Sequence, residues 1–265
     1  MRSLIARHGG APTVAPSMQE VPLADNSAVF RFGEAVLAGQ VDVTIFLTGV
    51  GAEATFDVLE TRWLLSDVFA FLERDQIVVR GPKPAAVLKK RGVRVDLKAA
   101  EPNTSREVMA SLRTAGDLAG KTVAVQEYGK PNEALYDELR FLGATVLPVP
   151  VYRWTLPDDV APLRAAVQSA ARGAFDVYVF TSAQQLENVL AVANELKLKD
   201  AVVAEMRRSV VASIGPTCSD TLAEHGLPPD LEASPPKMGQ LIRLAVEQGR
   251  AVLAAKRNGK EEVRT

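Results

Sequence analysis

Asp42-Val43-Thr44-Ile45-Phe46 is a short apolar run of strand character, and Asp176-Val177-Tyr178-Val179-Phe180 repeats its pattern. The two runs begin at positions 42 and 176, an offset of 134 residues. Two further matches keep this offset without a gap: Gly81-Pro82 with Gly215-Pro216, and Pro102 with Pro236. Three matches at one spacing indicate an internal duplication, so the chain contains two related halves.

The segments around these runs predict the fold class. Short runs rich in Val, Ile and Phe alternate with amphipathic stretches of helical length throughout the chain. Strands that alternate with helices of this length imply parallel sheets with helices on both faces. We therefore predict two similar α/β domains of flavodoxin or Rossmann type, joined by two extended linkers, with a binding cleft between them.

The second half of the duplication is displaced along the chain. The strand and helix predicted over Thr122–Leu142 have no counterpart 134 positions later. A partial counterpart lies at the N-terminus, where a helical pattern at Ser3–Arg7 precedes Gly9-Gly10 and a short strand pattern at Thr13–Ala15. We therefore expect the N-terminal segment to complete the C-terminal half, which makes one domain discontinuous.

The displaced repeat and its proline-rich crossings predict the bounds of the domains. Residues 1–15 plus 158–265 form the discontinuous α/β domain, residues 25–147 form the inserted one, and residues 16–24 and 148–157 are linkers. The counterpart of the strand at Thr122–Gln126 would precede Ser3. We expect either an edge element missing from the discontinuous domain or a truncated start.

Composition and charge argue against several classes of protein. The 265 residues include 31 Lys and Arg against 32 Asp and Glu, a net charge of −1, whereas nucleic-acid and membrane-surface proteins usually carry a basic surplus. The single cysteine, Cys218, excludes an intramolecular disulfide, and two histidines are too few for a histidine-based metal site. No apolar run approaches the roughly 20 residues of a membrane helix and no signal peptide opens the chain, so we expect a cytoplasmic protein.

Candidate binding residues lie in the loops after the predicted strands. In open parallel sheets, ligands bind beyond the carboxyl ends of the strands, where free backbone N–H groups at helix starts donate hydrogen bonds to anions such as carboxylates. The candidates in these loops are Thr48, Gly49, Arg80, Gly81, Lys83, Ser105, Tyr128, Thr181, Ser182, Ser213, Gly215, Pro216, Thr217 and Lys237.

Each class of candidate also has an ordinary explanation. Serine and threonine are common helix N-caps without any ligand. A cation near a helix start is opposed by the helix dipole and is favoured by an intervening anionic ligand, although it can also be simply solvated. The sequence has no phosphate-binding G-x-x-x-x-G-K-[ST] loop, no G-x-G-x-x-G turn and no G-x-S-x-G elbow with a matching His and acid.

At these loops the sequence resembles the uroporphyrinogen-III synthase family across nearly its whole length. The resemblance rests on Val177–Ser182, on Ile214–Thr217 with Ser234-Pro235, and on Val151-Tyr152-Arg153 in the second linker. It implies a cyclising lyase that expels the terminal hydroxyl of hydroxymethylbilane as water and closes the ring with inversion of the last pyrrole. No metal or organic cofactor is implied, and the expected form is a monomer with no nucleic-acid or membrane partner.

The resemblance also implies roles for particular residues. Tyr152 matches the family's linker tyrosine, the candidate for assisting departure of the hydroxyl, and its alternative role is to pack the linker. Leu47-Thr48-Gly49 stands where the family has a Thr-Ser form, which leaves the backbone role there and puts a side-chain role in doubt. The alternative function is a non-catalytic, two-lobed binding or regulatory protein for a small anion or a tetrapyrrole.

Overall fold

The computed structural model describes residues 1–258. Its strands are β1 (Gln19–Pro22), β2 (Val43–Phe46), β3 (Gln76–Val79), β4 (Leu97–Lys98), β5 (Thr122–Gln126), β6 (Thr145–Val149), β7 (Tyr152–Thr155), β8 (Val177–Phe180), β9 (Val210–Ser213) and β10 (Leu231–Glu232). Its helices are α1 (Arg2–Arg7), α2 (Ser27–Leu37), α3 (Gly49–Glu60), α4 (Leu65–Leu72), α5 (Pro82–Lys90), α6 (Ser105–Ala115), α7 (Glu133–Phe141), α8 (Ala161–Ala170), α9 (Ala183–Glu195), α10 (Lys199–Arg208), α11 (Pro216–Glu224) and α12 (Met238–Asn258).

The chain divides into two compact units. One unit comprises residues 1–19 together with the chain from residue 155 onward, and the other comprises residues 20–154. We call them the discontinuous unit and the inserted unit. A two-stranded sheet of β1 and β7 lies where the chain passes from one unit to the other.

The inserted unit contains a five-stranded parallel sheet of order β4-β3-β2-β5-β6. All four residues of β2 are buried because helices cover both faces of the sheet. One face packs against α2, α3, α4 and α5, with Phe32, Phe56 and Leu88 in that core. The other face packs against α6 and α7 through residues such as Leu112 and Leu139. The predicted α/β class is therefore confirmed in this half.

The discontinuous unit contains a three-stranded parallel sheet of order β10-β9-β8. Helices α8, α9, α10 and α11 contribute to the core on one face, which includes Leu186 and Leu222. Helix α12 packs on the other face through Leu241 and Ala245. By the offset of 134 residues, β8, β9 and β10 correspond to β2, β3 and β4.

The strand predicted at Thr13–Ala15 is wrong. These residues have no regular structure in the fold. Their counterpart in the inserted unit is β6, which pairs with β5 along its whole length. Within residues 1–258 the second sheet ends at β8, so a segment at Thr13–Ala15 has no neighbouring strand whose backbone could complete a ladder.

The same carboxylate-to-backbone hydrogen bond occurs at the amino ends of both sheets. Asp96 accepts from the Ile77 backbone N–H at 2.7 Å, and Asp230 accepts from the Val211 N–H at 2.8 Å, again 134 positions apart. The inserted unit adds a buried carboxyl group there. Asp75 accepts a hydrogen bond from the Thr44 hydroxyl at 3.0 Å, and burial raises the pKa of Asp75 to about 7.

Among the described residues, the helices include none of sufficient length and apolarity to cross a membrane.

Candidate active site

The carboxyl ends of β2 and β5 bring two polar side chains, those of Thr48 and Gln126, together with Tyr152 of β7. Thr48 follows β2 as the N-cap of α3, and its hydroxyl accepts from the Gly51 N–H at 2.9 Å. The Tyr152 hydroxyl lies 3.3 Å from the same Thr48 oxygen. Gln126, the last residue of β5, lies beside Thr48 and accepts from its backbone N–H at 3.1 Å.

Tyr152 is held as a neutral phenol. It is only 3% exposed, and burial raises its pKa to about 12, although the hydrogen bond with Thr48 and the nearby Arg80 charge oppose that rise. The Thr48 hydroxyl has one proton and already accepts from Gly51, so it donates either to Tyr152 at 3.3 Å or to Gln126 at 3.5 Å. When the Thr48 hydroxyl donates to the Tyr152 oxygen, the phenol's own proton remains free for a ligand.

Gln126 is a site residue that the sequence did not suggest. A glutamine at the end of a buried strand gives no signal of its role, because only the tertiary fold places it beside the first turn of α3. It is 1% exposed, and its amide also donates to the Glu127 carbonyl. A Cβ atom on Gly51 would come within 1.8 Å of the Gln126 amide nitrogen, so glycine at position 51 makes room for that amide.

Arg80 is a partly buried cation that lies over one aromatic ring, that of Tyr128. Its guanidinium carbon lies 4.4 Å from the Tyr128 ring centroid, and Tyr128 in turn lies 4.3 Å from Trp154 in an edge-to-face contact. Burial lowers the pKa of Arg80, which means that the environment opposes its charge. Within residues 1–258 Arg80 forms no ion pair with Asp or Glu, whereas Arg91 pairs with both Glu53 and Asp57.

The helix starts offer fewer backbone donors than the sequence prediction assumed. Gly81 is followed by Pro82 and Pro84, which have no N–H, so the first turn of α5 has the Lys83 N–H alone. At α3 the Gly51 N–H is already bonded to Thr48, which leaves Gly49 and the exposed Val50. Lys83 itself is exposed. The Ser105 hydroxyl, in the first turn of α6, accepts from Asn132 at 2.8 Å.

The discontinuous unit contains the remaining candidates. At the end of β8, the Thr181 N–H donates to Gln185 at 2.8 Å, and Ser182 is the N-cap of α9. At the end of β9, Ser213 is fully buried, and its hydroxyl bonds to the backbone of Gly215.

The first turn of α11 presents a single free backbone donor. Pro216 has no N–H, and the next bonded amide is that of Cys218, so the donor is the N–H of exposed Thr217. Gly215 lies close to the loop before α12, since a Cβ on it would be 3.1 Å from the Pro236 Cβ. Lys237 follows this loop and is exposed.

Comparisons with known proteins agree with this architecture. The family model described as "Uroporphyrinogen-III synthase HemD" matches residues 1–243. The chain is 29% identical over 249 residues to "Uncharacterized protein YjjA" of Bacillus subtilis (strain 168), covering 91% of this chain and 88% of that protein. It is 29% identical over 227 residues to the "Putative uroporphyrinogen-III synthase" of Methanothermobacter thermautotrophicus, covering 84% of each.

A solved structure gives the same result. A mutant uroporphyrinogen III synthase from the extremely thermophilic bacterium Thermus thermophilus matches with a TM-score of 0.68 and 25% identity, over 95% of this chain and 93% of that one. The family match spans far more than half of the sequence and includes β2, β8 and the loops that follow them. The chain therefore belongs to the uroporphyrinogen-III synthase family of cyclising lyases.

Proposed function

We propose that this protein converts hydroxymethylbilane to uroporphyrinogen III, with Tyr152 assisting departure of the hydroxyl and Arg80 binding a carboxylate of the substrate. The observation that supports this assignment of roles is the grouping, at one sheet edge, of a neutral, buried phenol and a guanidinium that forms no ion pair with an acidic residue in the described part of the chain. The substrate is a flexible polycarboxylate that must lose a hydroxyl group. It needs both an anion receptor and a proton donor.

Tyr152 supplies a proton to the departing group. Because burial raises its pKa to about 12, the phenol stays protonated at neutral pH. Its proton points to the substrate when the Thr48 hydroxyl donates to the phenol oxygen. Loss of the hydroxyl as water leaves an azafulvene cation on the terminal pyrrole.

Arg80 binds a carboxylate of the substrate. A guanidinium binds a carboxylate through two parallel N–H···O bonds, and partial burial strengthens that pairing. The bound carboxylate also neutralises Arg80, so that the cation forming on the substrate does not face an uncompensated positive charge. Tyr128 and Trp154 provide an aromatic wall beside the bound group.

Most of the other predicted residues bind further carboxylates. In the inserted unit these are Gly49, Gly81, Lys83 and Ser105, and in the discontinuous unit Thr181, Ser182, Gly215, Thr217 and Lys237. Fully buried Ser213, and Pro216, which has no N–H, shape the loop before α11 instead. Proline-rich helix starts leave one free N–H each at α5 and α11. We therefore expect the exposed Lys83 and Lys237 to supply much of the carboxylate binding near these two helices, whereas backbone N–H groups supply it at α3 and α9.

Orientation of the bound chain selects the product. Ring closure with inversion requires the azafulvene carbon to be attacked through a spiro intermediate, and a chain held at several carboxylates reaches that geometry without a covalent catalyst. We further propose that the protein acts as a cytoplasmic monomer with no nucleic-acid partner. The near-zero net charge argues against a nucleic-acid partner, and the single cysteine fits a reducing compartment.

Turnover tests the proposal. The protein is mixed with a large molar excess of hydroxymethylbilane, and the substrate consumed above the spontaneous rate is measured. An enzyme consumes many equivalents. The alternative, a non-catalytic binding protein, would saturate at one equivalent and slow the spontaneous reaction, and that result would refute the proposal.

A further inference from the structure

We propose that Gln126 is a positioning residue for Tyr152, and that Gly51 is required because any side chain there displaces the Gln126 amide. This inference rests on the proposed role of Tyr152. It adds two residues, on β5 and α3, that do not touch the phenol themselves and act through Thr48.

The contacts form a continuous chain from β5 to β7. The Gln126 side-chain oxygen accepts from the Thr48 backbone N–H at 3.1 Å, and the Thr48 hydroxyl contacts the Tyr152 hydroxyl at 3.3 Å. The amide nitrogen of Gln126 donates to the Glu127 carbonyl, which fixes which end of the amide faces Thr48. Gln126 is 1% exposed, so solvent cannot replace it as the acceptor.

Gly51 is required by packing and not by backbone conformation. Its Cβ would lie 1.8 Å from the Gln126 nitrogen, 2.3 Å from the amide carbon and 2.6 Å from the oxygen. All three atoms belong to the end of the Gln126 side chain, so even a methyl group at position 51 would force that amide to move. Glycine is less favourable than alanine in an α-helix, so Gly51 lowers the stability of the first turn of α3. The space that the Gln126 amide needs explains why glycine is present there.

The duplicated half reaches a similar arrangement with different residues. Position 185 lies 134 residues after position 51, and it holds a glutamine, whose side-chain oxygen accepts from the Thr181 N–H at 2.8 Å. In the discontinuous unit the helix supplies its own amide to the end of the strand. In the inserted unit the neighbouring strand β5 supplies the amide, that of Gln126, and helix α3 has Gly51 at the position equivalent to Gln185.

Stability measurements test the geometry without any assay of activity. In the native background, Gly51→Ala should lower the free energy of unfolding because the methyl group displaces Gln126. In a Gln126→Ala background the same change should raise it, since alanine favours the helix. The matched control is Gly239→Ala, at a helical glycine with open space around it. The change that Gly239→Ala causes in the free energy of unfolding should be the same with and without Gln126→Ala. The same sign for Gly51→Ala in both backgrounds would overturn the proposed packing.

Kinetics test the positioning role. Gln126→Met, which keeps the length of the side chain and removes the acceptor, should lower kcat roughly tenfold to a hundredfold and change KM little, as expected for a misplaced proton donor. In a Tyr152→Phe background it should have no further effect. Independent, multiplicative losses in the double variant, or a loss confined to KM, would overturn the role. Absence of turnover in the native protein would instead refute the proposed function, and the stability cycle would still decide the geometry.

Discussion

Replacing Arg80 by methionine should move stability and affinity in opposite directions. Methionine retains the length of the side chain and its contact with the Tyr128 ring, and it removes the charge. In the free protein that charge is partly buried, it has no acidic partner among residues 1–258, and burial lowers its pKa. Its removal should therefore stabilise the free fold by about 1 kcal/mol, measured as a higher midpoint of thermal unfolding.

The same substitution should weaken binding. Loss of one partner from a buried, hydrogen-bonded charge pair costs roughly 2–5 kcal/mol, and Arg80, which is not fully buried, should fall at the lower end. Each 1.4 kcal/mol corresponds to about a tenfold change in affinity. A loss of about 2–3 kcal/mol therefore predicts a Kd for product that is roughly 30- to 100-fold higher, measured by titration with uroporphyrinogen III.

Arg74 provides the matched control. Its guanidinium carbon also lies 4.4 Å from an aromatic ring, that of Phe71, but it is exposed and lies outside the candidate site. Arg74→Met should change neither the affinity nor the unfolding midpoint appreciably. The reasoning is refuted if Arg80→Met binds product as tightly as the native protein, or if both variants lose affinity equally.

Three further predictions concern other parts of the two units. Tyr152→Phe should lower kcat by roughly tenfold to a hundredfold without loss of folded protein. If steady-state kinetics give this variant the same kcat as the native protein, Tyr152 is a packing residue. Gly215→Val should weaken product binding because it displaces Pro236, whereas Thr217→Ala should cost at most about 1 kcal/mol in the same titration; the reverse order would point to a side-chain site. The pKa of Asp75 is about 7 in the folded protein and 3.8 in a free aspartate, so folding stability is lost as pH rises from about 4 through 7. Asp75→Asn stays neutral at every pH and should match the native protein near pH 4 and exceed it by about 4 kcal/mol at pH 8 in denaturant titrations, and a constant difference across this range would exclude titration of Asp75 as the cause.

The sequence predicted the architecture because a duplication is visible without any tertiary information. The two runs at 42–46 and 176–180 become β2 and β8, each parallel to the strand that follows it. The segment at Thr13–Ala15 failed as a strand because a β-strand needs a partner, and local pattern does not supply one.

The site was only partly predictable for related reasons. Arg80 was identified as a cation near a helix start, but its stacking on Tyr128 depends on the loop after β5 and could not be deduced from position 80 alone. Gln126 was missed because its contact with Thr48 exists only once β5 lies beside β2. The shortage of N–H groups after Gly81 could have been predicted from Pro82 and Pro84. It was overlooked because the prediction assumed free N–H groups at every helix start.

The isomer formed from hydroxymethylbilane tests the central claim most directly. Spontaneous closure gives the unturned type I macrocycle, whereas a protein that holds the chain for inversion gives type III. The products are separated after incubation with catalytic amounts of protein, with Tyr152→Phe and a protein-free sample in parallel. We predict that the native protein yields mainly the type III isomer at a rate well above the spontaneous one. Exclusive formation of the type I isomer at the spontaneous rate would contradict the account.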